Sequence, residues 1–431
     1  MTIDRRTFVH ASGVAAAALA LPRRAFGIGR PDADPIRIGV IGCGGRGTGA
    51  VRDALTASEN VSLTAMGDLF PDRLASAREQ FTRIAATDAG FAAKYAVSPE
   101  RTFTGLDAFR QVLATDVDLV ILATPPAFRA EHLAAAIAAG KHVFMEKPVA
   151  VDVVGALSVI ASGDAARAKG LAIVAGTQRR HDPRYIETIR RMHDGQIGEV
   201  VGGSVYWNQG GLWNFARKPM WSDAEWQLRN WLYFTWLSGD HIVEQHVHNL
   251  DVANWVMGSV PVRAVGVGGR QARTAPEYGH IFDHFGLEFE YPGGVRIASM
   301  CRQQDGTASQ VGERFTGTKG RSNGYDRIEG KKPWTWQGGD AIRPYVEEHR
   351  DLVASIRSGK PLNEARRIAE STLTAIMGRE AAYTGQVIEW GTLLQTPQNI
   401  RPPLASLGTL VTPPVPVPGQ TVLMRGFNSG W

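Results

Sequence analysis

The feature that most restricts the fold of this chain is a glycine-rich turn near its N-terminus, Gly42-Cys43-Gly44-Gly45-Arg46-Gly47. It follows residues 36–41, which have strand composition, and precedes residues 48–57, which can form a helix. The first glycine of such a turn permits a tight bend, the second admits a pyrophosphate, and the third lets helix and strand pack closely. Phosphate then faces the N-terminus of the helix. The motif therefore predicts a dinucleotide-binding unit in which residues 42–47 contact the cofactor.

A carboxylate follows the next predicted strand at the distance expected for such a unit. Residues 61–66 have strand composition, and Asp68 lies 21 residues beyond Gly47. An acid at this place hydrogen-bonds the ribose 2'-hydroxyl and repels a 2'-phosphate, so it favours NAD over NADP. The alternative is that Asp68 is an ordinary turn residue at the end of a strand.

Two further predicted strands end in residues that suit the same crevice. They cover residues 118–123 and 141–145, and each is followed by a turn that contains proline. In a parallel sheet the ligand crevice lies at the carboxyl ends of the strands. We therefore expect the cofactor to contact the residues that follow these strands, which are Thr124, Pro125, Glu146 and Lys147.

The first thirty residues have the pattern of an export signal. Arg5 and Arg6 precede Phe8, and an apolar run at residues 11–21, too short to span a bilayer, ends in small residues. This order resembles a twin-arginine signal, which directs export of folded proteins, so we expect a periplasmic or otherwise exported protein. A disordered basic N-terminus is the alternative. The five arginines and one aspartate of residues 1–30 account for four of the five net positive charges, so the charge indicates no nucleic-acid partner.

Length and composition predict two domains without a disulfide framework. The chain has 431 residues, 44% of them hydrophobic, and only Cys43 and Cys301 as cysteines. Beyond the signal, no apolar stretch is long enough to cross a membrane. The predicted divisions are a signal at residues 1–30, a dinucleotide-binding domain at 36–150, a substrate and oligomerisation domain at 151–390, and a proline-rich arm at 391–431.

The nucleotide-binding unit, followed by Glu146-Lys147-Pro148 and a downstream helix with a histidine, resembles the glucose-fructose oxidoreductase / inositol dehydrogenase (Gfo/Idh/MocA) family. The resemblance covers about residues 36–390. It implies an α/β fold with an N-terminal Rossmann domain and a C-terminal α/β domain that has a large open, mainly antiparallel sheet. It also implies that Lys147 contacts the reacting hydroxyl and that His248 is the acid/base residue. Glu244 and His246 depart from the aspartate and glycine usual in the family's helix motif, which affects the expected substrate class more than the fold.

The residues around His248 predict similar chemistry without the family. On a single helix over residues 240–257, four polar residues would share one face within about an 80-degree arc, namely His241, Glu244, His248 and Asp251. A carboxylate that fixes the imidazole tautomer lets the ring accept a hydroxyl proton near neutral pH. The same spacing could hold a divalent metal, but the H-E-x-x-H order is absent, so we assign no metal site.

A run of tryptophans predicts a carbohydrate site. Six of the eleven tryptophans lie between residues 207 and 236, among amides and charged residues. Indole rings suit the apolar C–H faces of sugars, although packing in a loop or a subunit contact is the alternative. A second candidate part of the substrate site is the segment of residues 178–183, which follows the predicted strand at residues 171–175. In the family this segment often contacts the substrate. The expected substrate contacts are Glu244, Arg180, His181, Trp207 and Trp213.

Alternating residues between 262 and 299 predict an antiparallel sheet. Helices at about 344–358 and 364–384 are expected to return towards the first domain. Since an open sheet face commonly mediates subunit contact in the family, the resemblance implies a homodimer or homotetramer.

These features predict an NAD-dependent oxidoreductase that oxidises or reduces a secondary hydroxyl of a sugar, glycoside or cyclitol. Because free NAD is scarce outside the cytoplasm, we expect the cofactor to be retained through the cycle. A glycoside hydrolase or lyase that uses transient oxidation and elimination is the alternative, and a non-catalytic sugar-binding protein is a third possibility. Product analysis separates the three hypotheses.

Overall fold

The computed structural model describes residues 34–339, 341–404 and 407–423, so the predicted export signal lies outside the described residues. Within these ranges six parallel strands form one sheet, and nine strands form a second, mostly antiparallel sheet. The α/β fold class expected from the sequence is confirmed. None of the described helices is long and apolar enough to cross a bilayer.

Short runs of buried aliphatic residues form the strands of the first sheet, as expected for a parallel sheet covered on both faces. These strands are β1 (Ile36–Ile41), β2 (Val61–Asp68), β3 (Thr102–Thr104), β4 (Leu119–Leu122), β5 (His142–Met145) and β6 (Ile173–Ala175). Their order in space is β3-β2-β1-β4-β5-β6, so β1 pairs with both β2 and β4. The strand order reverses at this point, and a ligand crevice opens where such a reversal occurs.

The helices of the first domain connect these strands and cover the sheet. They are α1 (Gly45–Ala57), α2 (Pro71–Ala85), α3 (Ala89–Lys94), α4 (Ala108–Ala114), α5 (Pro126–Ala138) and α6 (Val153–Ala168). Helix α1 begins inside the glycine turn, three residues before the predicted start at residue 48, because Gly44 is already its N-cap. Strand β6 belongs to the first sheet, so this domain continues past the predicted boundary at residue 150, with α6 as the crossover from β5.

The second sheet alternates buried and exposed residues because only one of its faces is covered. Its strands are β7 (Val200–Gln209), β8 (Arg263–Gly269), β9 (His284–Glu290), β10 (Arg296–Gln303), β11 (Gln310–Gly317), β12 (Gly320–Ser322), β13 (Arg327–Gly330), β14 (Trp334–Thr335) and β15 (Ile388–Glu389). Their spatial order is β14-β13-β12-β11-β7-β10-β9-β8-β15, and the β7–β10 pair is parallel. The covered face carries Phe285, Phe289 and Ile297, all in one hydrophobic core.

The remaining helices pack around the second sheet and back onto the first domain. They are α7 (Pro183–His193), α8 (Asp223–Arg229), α9 (Thr235–Ser238), α10 (His241–Glu244), α11 (Val247–Met257), α12 (Pro344–Arg357), α13 (Ala365–Thr384) and α14 (Trp390–Gln395). Leu352 of α12 and Ile368 of α13 lie in the cores around the first sheet, so both helices return to the first domain as expected. After α14 the described residues form no further helix or strand, yet Ile400 is fully buried within this chain.

Candidate active site

The glycine turn has the geometry that its sequence predicts. Gly42 has a positive φ of 96°, and its N–H donates to the carbonyl of Gly67 at 2.8 Å. A Cβ on Gly47 would lie 1.9 Å from the Gly42 carbonyl oxygen, so α1 and β1 approach this closely only because residue 47 has no side chain. A Cβ on Gly44 or Gly45 would meet nothing within 4 Å. The backbone of the turn is therefore open on the side where a pyrophosphate would bind.

The Asp68 carboxylate lies at the carboxyl end of β2, directly beside this turn. Its Oδ2 accepts a hydrogen bond from the backbone N–H of Cys43 at 2.6 Å, and its Oδ1 accepts one from Phe70 at 2.8 Å. Burial raises the pKa of Asp68, although the two backbone N–H groups oppose the shift. The Cys43 thiol is buried, so Cys43 presents its backbone to the site.

A cavity of about 590 Å³ opens at this edge of the first sheet. Gly42, Gly44, Arg46, Asp68, Thr124 and Pro125 line its inner side. Its outer side is formed by residues from far along the chain, including Trp213, Phe215, Arg229, Trp231 and Arg401. The structure thus places Trp213, predicted to contact substrate, in the cavity of the glycine turn, because the loop after β7 folds over the first domain.

Two of the predicted cofactor contacts pair with each other. The Nε of Arg46 donates to Oε1 of Glu146 at 2.5 Å, and the Glu146 residue is only 3% exposed. The Arg46 guanidinium also lies 4.7 Å from the ring centroid of Tyr345 on α12. Arg46 therefore connects the glycine turn, the end of β5 and the returning helix.

A buried arginine that the sequence analysis did not identify connects the ends of β4 and β5. Arg129 on α5 donates from Nε to the carbonyl of Thr124 at 2.8 Å and from Nη1 to the carbonyl of Pro148 at 2.6 Å. Burial lowers the pKa of Arg129 to about 10. Arg129 is the only arginine of α5, but nothing in the local sequence indicates that it is buried.

Lys147 extends from the end of β5 towards Glu244, the last residue of α10. Its Nζ donates to the Glu244 carboxylate at 2.8 Å and to the Glu244 carbonyl oxygen at 2.5 Å. The two side chains are 12% and 8% exposed, so the ion pair is largely shielded from water. The predicted catalytic lysine and a predicted substrate contact therefore form one unit between the two domains.

The His248 ring is buried in the first turn of α11, near enough to Lys147 for the charge of the lysine to affect it. It stacks on the indole of Trp207, with ring centroids 5.6 Å apart and an angle of 20° between the planes. Burial lowers the pKa of His248 well below its usual value, and the charge of nearby Lys147 lowers it further. The imidazole is therefore neutral near pH 7 and able to accept a proton.

The prediction of one helix over residues 240–257 is wrong. Helix α10 ends at Glu244 and α11 begins at Val247, so His241, Glu244, His248 and Asp251 do not lie on one continuous helix. His246 lies between the two helices, and its Nε2 shares a hydrogen bond of 2.8 Å with Ser299 of the second sheet. His241 is fully buried against Asp240 and Phe285. These tertiary contacts outweigh the helical periodicity.

The carboxylates predicted to orient the imidazole bind cations instead. Glu244 pairs with Lys147, and Asp251 accepts two hydrogen bonds from Arg180 at 2.8 and 2.9 Å. The Arg180 guanidinium thus binds a buried carboxylate of the protein, and its predicted substrate contact stays a prediction. Within the described ranges, no group of three or more histidine, cysteine, aspartate or glutamate side chains is arranged to hold a metal ion.

His181 also faces protein groups. Its Nδ1 lies 2.6 Å from the Asp351 carboxylate, and its Nε2 lies 3.4 Å from Glu364. Burial alone would lower the pKa of His181, but the hydrogen bonds with Asp351 and Glu364 raise it to about 9. His181 is therefore a cation that links α12 to the start of α13, and its substrate contact stays a prediction.

The neighbouring arginine, Arg179, lies closer to His248. Its guanidinium pairs with Glu313 of β11 and lies 5.7 Å from the ring centroid of Trp207. It is also one of the cations that lower the pKa of His248. Sequence alone could not predict which arginine of this segment lies nearest to His248. The directions of their side chains depend on a short 3₁₀ turn at Gln178–His181.

Comparison with known proteins finds a family match for the first domain. Residues 36–176 match the model of the Gfo/Idh/MocA oxidoreductase family, NAD-binding Rossmann fold. The match covers the first sheet and its helices, from β1 to β6. Residues 36–176 therefore have the NAD-binding Rossmann fold of an oxidoreductase family, and NAD is the cofactor that the glycine turn and Asp68 predict.

Relatives resemble the chain beyond the first domain. Inositol 2-dehydrogenase 3 of Saccharopolyspora erythraea is 28% identical over 368 residues, which cover 82% of this chain and 95% of the relative. The aldose-aldose oxidoreductase of Caulobacter crescentus has a similar fold, with a TM-score of 0.62, 19% identity and coverage of 82% and 99% of the two chains. GenD2 of gentamicin A biosynthesis, solved in complex with NAD, has a TM-score of 0.62 at 18% identity, with 84% and 98% covered.

Proposed function

We propose that this oxidoreductase oxidises or reduces a secondary hydroxyl of a sugar, glycoside or cyclitol and keeps its NAD bound through the cycle. The observation that carries the proposal is the Lys147–Glu244 pair at the end of β5, together with a neutral, buried His248 whose pKa the charge of Lys147 lowers. This end of the sheet also bears the glycine turn and the nucleotide cavity. The names of the inositol and aldose relatives support a polyhydroxylated substrate.

Each residue of the group has a distinct task in this proposal. NAD, when bound, supplies the hydride acceptor or donor. An imidazole nitrogen of His248 takes the proton of the substrate hydroxyl, which the lowered pKa of the ring permits at neutral pH. The Lys147 Nζ hydrogen-bonds the substrate oxygen as negative charge develops on it. Glu244 positions that Nζ through its carboxylate and its carbonyl oxygen.

The alternative of oxidation followed by elimination rests on one observation. Oε2 of Glu244 is buried and accepts no hydrogen bond from the described residues. It could assist a second proton transfer, which elimination would need. The name of the relative inositol 2-dehydrogenase 3 favours net redox chemistry instead.

The proposed setting is extracytoplasmic, and the proposed assembly is a homodimer or homotetramer. The twin-arginine pattern at Arg5 and Arg6 supports export. The open face of the second sheet supports self-association, since Val265, Val267 and Met300 are 43%, 72% and 49% exposed. Val267 and Met300 both pair with Gly286 across the strands, so they lie on one face. Such an exposed apolar row is typical of a protein interface.

The experiment that tests the proposal is nucleotide extraction followed by product analysis. The exported form is purified, its bound nucleotide is identified, and a panel of sugars, glycosides and cyclitols is followed by NMR. A keto product with intact linkages supports the proposal. A released aglycone without net redox change supports elimination, and unchanged substrates would indicate a binding protein.

A further inference from the structure

We infer that the tryptophan segment, residues 210–231, together with residues 401–404 of the C-terminal arm, forms the outer wall of the NAD site and sets how long NAD stays bound. The inference rests on the NAD binding in the proposed function and adds the residues that retain the cofactor. Trp213, Phe215, Arg229 and Trp231 line the same cavity as Gly44 and Asp68. No part of the glycine motif requires such a wall.

An ion pair fastens the tryptophan segment to the first domain. Arg229 donates two hydrogen bonds to the Asp72 carboxylate, at 2.9 and 3.0 Å, although the residues are 157 positions apart. The same guanidinium lies 3.9 Å from the ring centroid of Phe70. Phe70 and Asp72 directly follow Asp68, the predicted ribose contact. The Arg229–Asp72 ion pair therefore lies beside the place where the adenosine half of NAD is expected to bind.

Aromatic rings give this wall a surface suited to a nucleobase. Trp213 contacts Phe215 and Trp231, with ring centroids 5.3 and 5.9 Å apart. Trp213 remains 43% exposed, although it belongs to this cluster. A planar base can stack on such rings, which is worth about 1–3 kcal/mol per base in nucleic-acid complexes. A half-exposed indole at a cavity is also better explained by a ligand than by core packing.

Buried polar side chains form hydrogen bonds with the backbone of the tryptophan segment. The hydroxyl of Tyr233 donates to the carbonyl oxygens of Leu212 and Trp213 at 3.0 and 2.9 Å. The side chain of Asn230, fully buried, accepts a hydrogen bond from the N–H of Phe215 at 2.9 Å. These hydrogen bonds fix the position of the tryptophan segment on the second domain.

The arm closes another side of the cavity. Arg401 pairs with Glu131 of α5 at 2.7 Å, and its guanidinium lies 4.8 Å from the ring centroid of Phe128. Both Arg401 and Leu404 line the cavity. NAD is thus enclosed between the first domain and two segments that come from outside it, and its release requires contacts such as Arg229–Asp72 to open.

The test measures dissociation of NADH, not turnover. Each protein is loaded with NADH, chased with excess NAD, and followed by energy transfer from tryptophan to the bound nicotinamide. Asp72→Asn is the main variant because Asp72 is 61% exposed in its pair, so the fold should tolerate the change. Trp213→Ala removes the exposed ring, and Trp213→Phe retains an aromatic surface. Asp194→Asn, which breaks an exposed pair with Arg190 on α7, is the matched control.

We expect Asp72→Asn and Trp213→Ala to release NADH roughly fivefold to thirtyfold faster than the wild type, as expected for loss of a charge-assisted or stacking contact. Trp213→Phe and Asp194→Asn should release it at close to the wild-type rate. Equal rates in all five proteins would overturn the inference. Turnover of polyols is scored separately, so absence of turnover with these rate differences intact would count against the proposed reaction alone.

Discussion

The Lys147 ammonium lies 2.8 Å from the Glu244 carboxylate, although the two residues are 97 positions apart and belong to different domains. Lys147 ends a strand of the nucleotide-binding sheet, whereas Glu244 ends a short helix beneath the second sheet. The pair therefore connects the end of β5 in the first domain to α10 in the second. The Glu244 side chain is long enough for its carboxylate to reach the Lys147 ammonium.

Substitution of the ion pair should separate catalysis from cofactor binding. Lys147→Ala should lower kcat/KM by about 10²- to 10⁴-fold, because the group that stabilises the developing charge is lost. Glu244→Gln should lower it by about tenfold, since the amide still accepts a hydrogen bond but no longer fixes the charge. Steady-state kinetics and nucleotide extraction are the measurements. Lys360→Ala, at an exposed position, is the control, and wild-type activity in Lys147→Ala would refute the assigned role.

The buried imidazole should make activity tolerant of mild acid. Burial, followed by the charges of Lys147, Arg179 and Arg46, lowers the pKa of His248, so the ring stays neutral below pH 6.5. We expect kcat/KM for oxidation to remain flat as pH falls from about 7.5 to 6.5, with its acid limb below the ordinary histidine pKa of about 6.5. His248→Asn should lower kcat by about 10²- to 10⁴-fold with NAD still bound. An acid limb centred above pH 7 would contradict the assignment of His248 as the base.

Buried histidines should make the fold sensitive to acid. Burial lowers the pKa of four of them to about 3, namely His132, His246, His280 and His349. Below about pH 6.5 the unfolded chain binds protons at these residues that the folded chain does not, so the free energy of unfolding falls as the pH drops towards 3. Each histidine contributes up to about 1.4 kcal/mol per pH unit. Tm measured between about pH 7 and pH 5 should therefore fall steadily, and a constant Tm would exclude this effect.

Protonation of His181 stabilises the folded protein, whereas protonation of the four histidines above destabilises it. Its effect on stability changes at alkaline pH. Its pKa is raised to about 9 in the folded protein, so its contribution to stability is complete below about pH 6.5 and is lost as pH rises through 9. His181→Gln should therefore remove a stabilisation that is present at neutral pH. The loss in Tm should be smaller at about pH 9.5 than at pH 7, because the charged form contributes less there.

The glycine turn offers a matched pair of alanine substitutions. Gly47→Ala places a Cβ 1.9 Å from the Gly42 carbonyl, so it should destabilise the first domain by about 1–3 kcal/mol and lower Tm without ligand. Gly45→Ala meets nothing within 4 Å, so Tm without ligand should be unchanged. NAD affinity should nevertheless fall in Gly45→Ala, because the methyl group enters the open space before the turn. Calorimetry of both variants with and without NAD is the measurement, and equal Tm values without ligand would be inconsistent with the packing described for Gly47.

The parts of the site that could be predicted from sequence are those set by local backbone geometry. The order of strand, glycine turn, helix, strand and acid is sequential, so the motif alone placed Gly42, Gly47 and Asp68. The proline-containing turns after β4 and β5 likewise marked the crevice edge. These predictions depend on steric limits within a few residues, which few tertiary contacts can change.

The remaining site residues depend on contacts between distant segments. Helix α10 ends at Glu244, α11 begins at Val247, and His246 between them shares a hydrogen bond with Ser299; helical periodicity reveals none of this. Trp213 lies in the nucleotide cavity because its loop crosses to the first domain, where Arg229 binds Asp72. The Arg179 guanidinium pairs with Glu313, which lies 134 positions further along the chain. None of these pairings has a signal in local sequence.

The most direct test of the account is a single-turnover experiment without added nucleotide. Purified protein is mixed with a panel of cyclitols, sugars and glycosides, and reduced nicotinamide is followed by absorbance while NMR identifies the product. The account predicts that bound NAD is reduced and that a keto product with intact linkages forms in equal amount, in the wild type but not in His248→Asn. A protein that contains no nucleotide, or one that releases an aglycone without net reduction of NAD, would contradict it.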